Sequence, residues 1–477
     1  MAEDEGITVK KSENFSEWYN QVVLKAELAD FSPVKGCMVI RPYGYAIWEN
    51  IRDFLDRRIK ETGHKNAYFP LFIPESFFKK EAEHVEGFSP EVAWVTHGGN
   101  TKLNERLAIR PTSETIINYM YSQWIRSYRD LPLLINQWAN IVRWETKMTK
   151  LFMRTREFLW QEGHTCHRTK EEADEEVLKM LDVYREVYED LLAIPVIPGY
   201  KTEKEKFAGA LYTTTVEALM PDGRAIQGGT SHNLGQNFAK VFDITFIDKD
   251  EKKKYVWQTS WGLTTRTVAA LVMTHGDDKG LVLPPKVAPI KIVIVPIIFE
   301  KHREAVLKKS KELKDIIEKR YSTVLDDREE YTAGYKFNYW ELRGVPIRIE
   351  IGPKDLENKQ VVLVRRDSGE KKNVKWDLLL DEIEKLLDSI QKNLYNRAKN
   401  FLENNTVEVD NYEDLKKAIK ERKMVKIKFC CSEECEEKIK EDTGATSACI
   451  PFEEFEAGKC VVCGKETGKM VYFAKHY

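Results

Sequence analysis

Residues 131–167, LPLLINQWANIVRWETKMTKLFMRTREFLWQEGHTCH, carry the densest chemistry in the chain. They read as two strands joined by a polar loop. The first ends in Arg143 and Glu145, and the second begins near Arg154. Strand side chains alternate faces with period two. Arg154, Arg156, Phe158, Trp160, Glu162 and His164 are therefore expected on one face, with Arg143 and Glu145 sharing a face of the partner strand. Fixed cations, aromatic walls, a carboxylate and an imidazole on one surface suit recognition of a zwitterion beside a polyphosphate.

Three further clusters could do chemistry. Arg110-Pro-Thr112-Ser-Glu114 precedes a helix with apolar residues at Ile116, Ile117, Met120 and Trp124. Thr112 or Ser113 could cap that helix and Glu114 could sit near its dipole; the alternative is a hydroxyl and a carboxylate facing a ligand. Gly262-Leu-Thr-Thr-Arg266 leads into a second apolar helix. Six of the eight cysteines crowd the C-terminal end, where Cys430-x4-Cys435 and Cys460-x2-Cys463 form two short-spaced pairs. Two thiolate pairs suit tetrahedral zinc in a folding role. Cys431 could replace Cys430, Cys449 is spare, and a redox dithiol lacks its usual fold context.

These groups need a scaffold. Residues 44–62 read as a helix, with Ile47, Ile51, Phe54, Leu55 and Ile59 three to four apart and Gly63 as its stop. Residues 66–73 read as a strand carrying Pro70, which places it at an edge or a bulge where a second subunit could dock. Residues 283–289 hold three prolines and read as a linker. Beyond it come an apolar β-branched run at 290–298, a charged helix at 301–320, and short strands at 322–325, 345–351 and 360–364. That order is a compact α/β domain. A charged helical stretch at 376–405 leads into the cysteine-rich tail.

Taken together, the motifs resemble those of class II aminoacyl-tRNA synthetases. Arg143-x-Glu145, a loop and a second arginine-bearing strand look like motif 2. The 44–62 helix and the Pro70 strand are similar to motif 1, and Gly262 to Arg266 to motif 3. FLWQEGHT (158–165), TEKEKFAGA (202–210), QGGTSHNLGQNFA (227–239) and HGDDKGLVLPP (275–285) resemble the prolyl-tRNA synthetase family. The resemblance is to its archaeal and eukaryotic-like form, since Arg143 and Arg266 stand too close for a large editing insertion.

The resemblance implies an α+β fold: an antiparallel-sheet catalytic domain (1–283), an α/β anticodon-binding domain (284–396) and a small α/β zinc domain (397–477). It implies that L-proline and ATP form prolyl-adenylate and that prolyl passes to the 3′ end of tRNA(Pro). Proline would be held by Thr112, Glu114, Arg143, Phe158, Glu162, His164, Phe207 and His232. ATP would be held by Arg143, Glu145, Arg154, Gln227, Thr230 and Arg266, with Mg²⁺ bridging its phosphates and with Arg143, Glu145 and Arg266 carrying the reaction. Anticodon guanines would meet Phe337, Glu341, Arg348 and Lys354. Zinc would sit on Cys430, Cys435, Cys460 and Cys463. Tyr477 is expected near the active site and the chain is expected to be a homodimer. A pocket of this size discriminates poorly against smaller or similar side chains, so weak activation of alanine and cysteine is also expected.

Composition sets outer bounds. The chain has 477 residues, 42% apolar, 32% charged and a formal net charge of −2. That is enough for two to four domains. Residues 1–10 lack an apolar signal core, and no run approaches 18 apolar residues. No membrane span and a cytoplasmic location are therefore expected.

Overall fold

The computed structural model describes residues 6–82, 91–144, 146 and 148–477. Its largest element is an eleven-stranded sheet. The strands that carry the predicted chemistry are adjacent in it: Tyr212–Leu219, Arg224–Gly235, Trp257–Thr264, Glu157–His167 and Leu133–Val142, all antiparallel.

One face of this sheet is covered by helices. Pro42–Glu61 begins with Pro at its first turn and buries Ile47, Ile51, Leu55 and Ile59 as one stripe. Burying each such side chain is worth roughly 1.5–3 kcal/mol. Lys170–Glu186 and Arg266–His275 add Met180, Tyr184, Val268 and Leu271 to the same core. The predicted 44–62 helix thus stands, shifted by two residues at its start.

The predicted strand at 66–73 is split. Lys65–Asn66 pairs parallel to Leu133–Val142 at the end of the large sheet, whereas Phe72–Pro74 joins Thr101–Ile109 in a separate three-stranded sheet. Pro70 lies between them. It has no N–H to give a ladder, so the chain changes sheets there.

After the proline-rich segment, a five-stranded sheet runs in the order Thr323–Leu325, Ile292–Pro296, Ile347–Ile351, Gln360–Arg365, Lys371–Lys375. The first three are parallel. Every residue of Ile292–Pro296 and Ile347–Ile351 is buried, as parallel strands covered on both faces require. Arg303–Ile317, Ala333–Leu342 and Leu379–Asn404 pack around it.

The tail departs from expectation. Thr406–Glu408, Met424–Lys428, Met470–His476 and Thr446–Pro451 do not form a separate sheet; they extend the large one. Ile450 and Pro451 pair with Tyr200 and Gly199, and Lys475 and His476 run beside Arg224 and Ala225. A side chain at Gly199 would stand 2.3 Å from the Ile450 carbonyl oxygen, so the junction needs glycine. The expected boundary at 396/397 falls inside the 26-residue helix Leu379–Asn404. Among the described residues no helix is long and apolar enough to cross a membrane.

Candidate active site

Strand register assembles the site. Glu162 lies opposite Gly262, and Gly262 opposite Thr230; in the next row His164 lies opposite Ser260, Ser260 opposite His232, and His232 opposite Thr213. Directly opposed residues share a face. These two rows floor a cavity of about 510 Å³, also lined by Thr112, Glu114, Arg143, Arg154, Phe158, Trp160, Phe207, Gln227 and Arg266. Gly262 keeps the floor low, since a Cβ there would press on the Trp160 ring at 3.2 Å. Gly228 and Gly229 serve the opposite side, where Tyr188 and Tyr184 pack against the strand.

One end of the cavity is a buried cluster of carboxyl groups, hydroxyls and an imidazole. Glu162 is 2% exposed. It accepts hydrogen bonds from the Ser113 amide at 3.1 Å, the Ser113 hydroxyl, Gln137 Nε2 at 3.0 Å and His164 Nε2 at 2.9 Å. Burial opposes ionisation of Glu162, but His164 and Ser113 outweigh it and keep the carboxyl below its usual pKa. Burial likewise opposes charge on His164, but Glu114 and Glu162 outweigh it and raise its pKa. Thr112 donates to Glu114. Ser113 is the N-cap residue of Glu114–Trp124 yet makes no side-chain cap bond. Its hydroxyl serves Glu162 instead, so the capping alternative does not describe this segment.

His232 is the opposite case. Burial, reinforced by repulsion from His164, pushes its pKa down to about 3, so the ring is neutral near pH 7. Thr213 Oγ1 lies 2.8 Å from its Nδ1, and the Phe207 ring sits 4.8 Å away at a tilt of 35°. A neutral plate and a phenyl ring therefore form one wall, beside an imidazole whose pKa its carboxylate neighbours raise.

The other end is cationic. Arg266 donates to the Met153 and Gln227 carbonyls at 3.3 and 3.2 Å. Its pKa is lowered, first by burial and also by repulsion from Arg143 and Arg154, against the pull of Tyr188 and Glu217. Arg143 donates to the Pro111 carbonyl at 3.4 Å and faces the Phe158 and Trp160 rings at 5.6 and 5.7 Å. Three guanidiniums that repel one another gain by binding an anion.

Two sequence expectations need revision here. The strands are Leu133–Val142 and Glu157–His167, so Arg143, Arg154 and Arg156 lie beyond the alternating region. Arg154 still lines the cavity. Arg156 instead stacks on Trp144 at 4.4 Å and donates to the Thr146 and Lys35 carbonyls. Glu145 lies outside the described residues. Sequence reasoning missed Gln137, Ser113 and Ser260, whose buried hydroxyl has no hydrogen-bond partner among the described residues. It also missed Lys201, Thr446, Ser447 and His476 as lining groups. Lys201 and His476 flank the fully buried Glu217 at 2.9 and 3.6 Å. Tyr477, expected here, lines the cavity and donates to Asp222 at 2.7 Å.

The tail cysteines converge. Cys430 Sγ lies 3.7 Å from both Cys435 Sγ and Cys463 Sγ, and with Cys460 all four sulfurs lie within 4.8 Å of one another. Tetrahedral zinc with bonds of ~2.3 Å places its sulfurs about 3.8 Å apart, so the donor set fits. Cys431, at a left-handed φ of 59°, turns its sulfur toward the Phe429 carbonyl, and Cys449 toward that of Ile197. In the five-stranded domain, Arg348 lies over Phe337 at 4.2 Å and pairs with Glu341 at 3.0 Å and Glu350 at 2.9 Å. Lys354 stands on the short helix Pro353–Glu357.

Comparison with known proteins agrees with this layout. A family model described as tRNA synthetase class II core domain (G, H, P, S and T) matches residues 94–275. Anticodon binding domain matches 291–386, and Prolyl-tRNA synthetase, C-terminal, matches 412–477. The proline--tRNA ligase of Natranaerobius thermophilus is 59% identical over 98% of this chain and 97% of its own. That of Alkaliphilus oremlandii is 56% identical, over 97% and 96%. Proline--tRNA ligase 2 of Clostridioides difficile is 54% identical, over 98% and 97%. The chain therefore belongs to the proline--tRNA ligase family of class II aminoacyl-tRNA synthetases.

Proposed function

We propose that the chain condenses L-proline with ATP to prolyl-adenylate and transfers the prolyl group to the 3′ end of tRNA(Pro). The observation that carries this is a cavity with two chemically opposite ends. Glu114, Glu162 and Thr112 can accept both N–H donors of a secondary ammonium. Phe158, Phe207 and neutral His232 bury a small ring. Arg143, Arg154 and Arg266 face the phosphates, with Gln227 and Thr230 beside the nucleotide and Glu145 in support. Mg²⁺, when bound with ATP, neutralises phosphate charge.

The proline carboxylate then attacks the α-phosphorus. A carboxyl O–P bond forms, and the bond to pyrophosphate breaks with its electron pair. The tRNA hydroxyl later displaces AMP from the acyl carbon. No protein nucleophile is required; alignment and charge stabilisation lower the barrier.

The same reading assigns zinc to Cys430, Cys435, Cys460 and Cys463 as a fold-closing ion, and anticodon guanines to Phe337, Glu341, Arg348 and Lys354. It keeps three units near 1–283, 284–396 and 397–477, with Leu379–Asn404 as the strut between the last two. A homodimer is favoured by the exposed Tyr68, Phe72, Tyr119 and Trp124 around the edge strand Lys65–Asn66. A cytoplasmic location accords with the substrates.

The test is ATP–pyrophosphate exchange with each of the twenty amino acids. Proline should dominate, with alanine and cysteine weak; dominance of another amino acid would discard the pocket assignment. Arg143→Ala should lower exchange by about 10²–10³-fold with an unchanged circular dichroism spectrum. Exchange within fivefold of the parent would remove Arg143 from the reaction.

A further inference from the structure

The segment that carries Phe207 is held by two bodies. Its C-terminal half belongs to the catalytic sheet: the Phe207 amide donates to Thr213 Oγ1 at 2.9 Å, and Asn237 Nδ2 donates to the Gly209 carbonyl at 2.8 Å. Its N-terminal half is held by the tail as well. Lys201 Nζ donates to the Ala448 carbonyl at 2.8 Å, Thr202 Oγ1 donates to Glu436 Oε1 at 3.0 Å, and Lys204 pairs with Glu437.

Thr202 is 1% exposed and Glu436 is 2% exposed. Ser447 donates to the same Glu436 oxygen, and the other Glu436 oxygen has no hydrogen-bond partner among the described residues. The carboxylate is thus committed to one spot. The Thr202 carbonyl in turn accepts from the Glu205 and Lys206 amides at 3.1 and 2.9 Å, closing a turn that ends at Phe207.

Glu436 follows Cys435 directly on Glu433–Thr443. Successive helix side chains diverge by about 100°. One therefore points into the four-sulfur cluster while the next points at the segment over the cavity. Ser432 fixes the start of this helix by accepting from the Cys435 amide.

We propose that Glu436 and Thr202 are positioning residues: through their buried contact, the four-cysteine cluster sets where the Phe207 ring stands, and with it the affinity for the imino acid. This rests on the assignment of Phe207 to the proline pocket. The cysteine cluster then tunes the substrate site without touching substrate.

The test uses full-length Thr202→Val and Glu436→Leu in ATP–pyrophosphate exchange. Each should raise the proline KM about tenfold, the worth of one hydrogen bond to a buried carboxylate. The ATP KM and kcat should stay within about twofold, a split that general loss of folding would not give. The double variant should be no worse than either single one, since both remove one contact. Amide hydrogen exchange supplies a readout independent of activity. Residues 203–209 should exchange faster in both variants, and in parent protein stripped of metal by chelation, while 212–219 stay protected.

Thr202→Val sits on the catalytic side and keeps the test open if Glu436→Leu folds poorly. A proline KM within twofold of the parent in Thr202→Val, or unchanged exchange at 203–209, overturns the proposal. Parent enzyme with no proline-dependent exchange would sink the functional reading instead, and the 203–209 protection would still decide the linkage.

Discussion

The five-stranded domain and the C-terminal tail follow the same catalytic body and attach to it to different extents. The former closes a sheet of its own around Ile292, Ile294, Ile347 and Ile349. It meets the catalytic body through side chains, such as the Arg366–Asp277 ion pair and the Tyr43 hydroxyl on the Arg343 carbonyl, and through isolated backbone bonds from the Leu281 and Leu283 amides to the Leu342 and Gly344 carbonyls at 3.0 and 3.2 Å. The tail instead extends the catalytic sheet and reaches its cavity with His476 and Tyr477. A domain that keeps a separate sheet is less tied to the chemistry than one whose strands continue the catalytic ladder.

That contrast can be broken. The largest effect is expected at the seam. Lys201→Met would strip fully buried Glu217 of its ion-pair partner at 2.9 Å, and removing one member of a buried pair costs ~3–5 kcal/mol. Denaturant titration should report such a loss in the transition that removes the tail; a change below about 1 kcal/mol would mean the seam does not depend on this pair.

A smaller, separable effect is expected in the other domain. Glu341→Gln weakens the Arg348 pair and the proposed guanine acceptor. It should raise the tRNA KM about tenfold while tRNA-independent exchange stays at the parental rate. A fall in exchange would show that the five-stranded domain also controls the cavity.

The third effect is pH-dependent. Burial pushes the pKa of His275 down to about 4, and its Nε2 lies 2.8 Å from the Leu192 carbonyl oxygen. A histidine with a lowered folded pKa binds its proton more readily when unfolded. Stability is therefore full above the unfolded value near 6.5 and is lost as pH falls toward 4, at up to about 1.4 kcal/mol per pH unit. His275→Gln keeps a donor for Leu192 and should flatten the fall in Tm between pH 6.5 and 4.5. An unchanged slope would assign acid sensitivity to other groups.

The sequence made the local half of this legible. Period-two alternation placed Phe158, Trp160, Glu162 and His164 on one face because they lie within a single strand. It failed at Arg156 because the strand begins only at Glu157. The 66–73 strand was misread because alternation says nothing about which sheet a residue joins, and Pro70 separates two. Ser113 and Gln137 were missed because their link to Glu162 spans 49 and 25 residues and exists only once the sheet is in register. His476 reaches Glu217 from 259 residues further along the chain (476 − 217), with no local pattern to announce it. The cysteine pairs were readable from spacing alone, and only geometry separated Cys430 from Cys431.

The long sheet has a further consequence for how the molecule keeps to itself in a crowded solution. The eleven strands close a ring where Met470–His476 also pairs with Arg224–Gly235, yet they still leave two open borders, and an open border can recruit strands from other chains. Here both borders are very short: Thr406–Glu408 at one end and Lys65–Asn66 at the other. The second exposes about 7 Å of ladder, too little to seed strand addition. Self-association at that border must therefore be written in side chains such as Tyr68 and Phe72, which can be specific, rather than in backbone, which cannot.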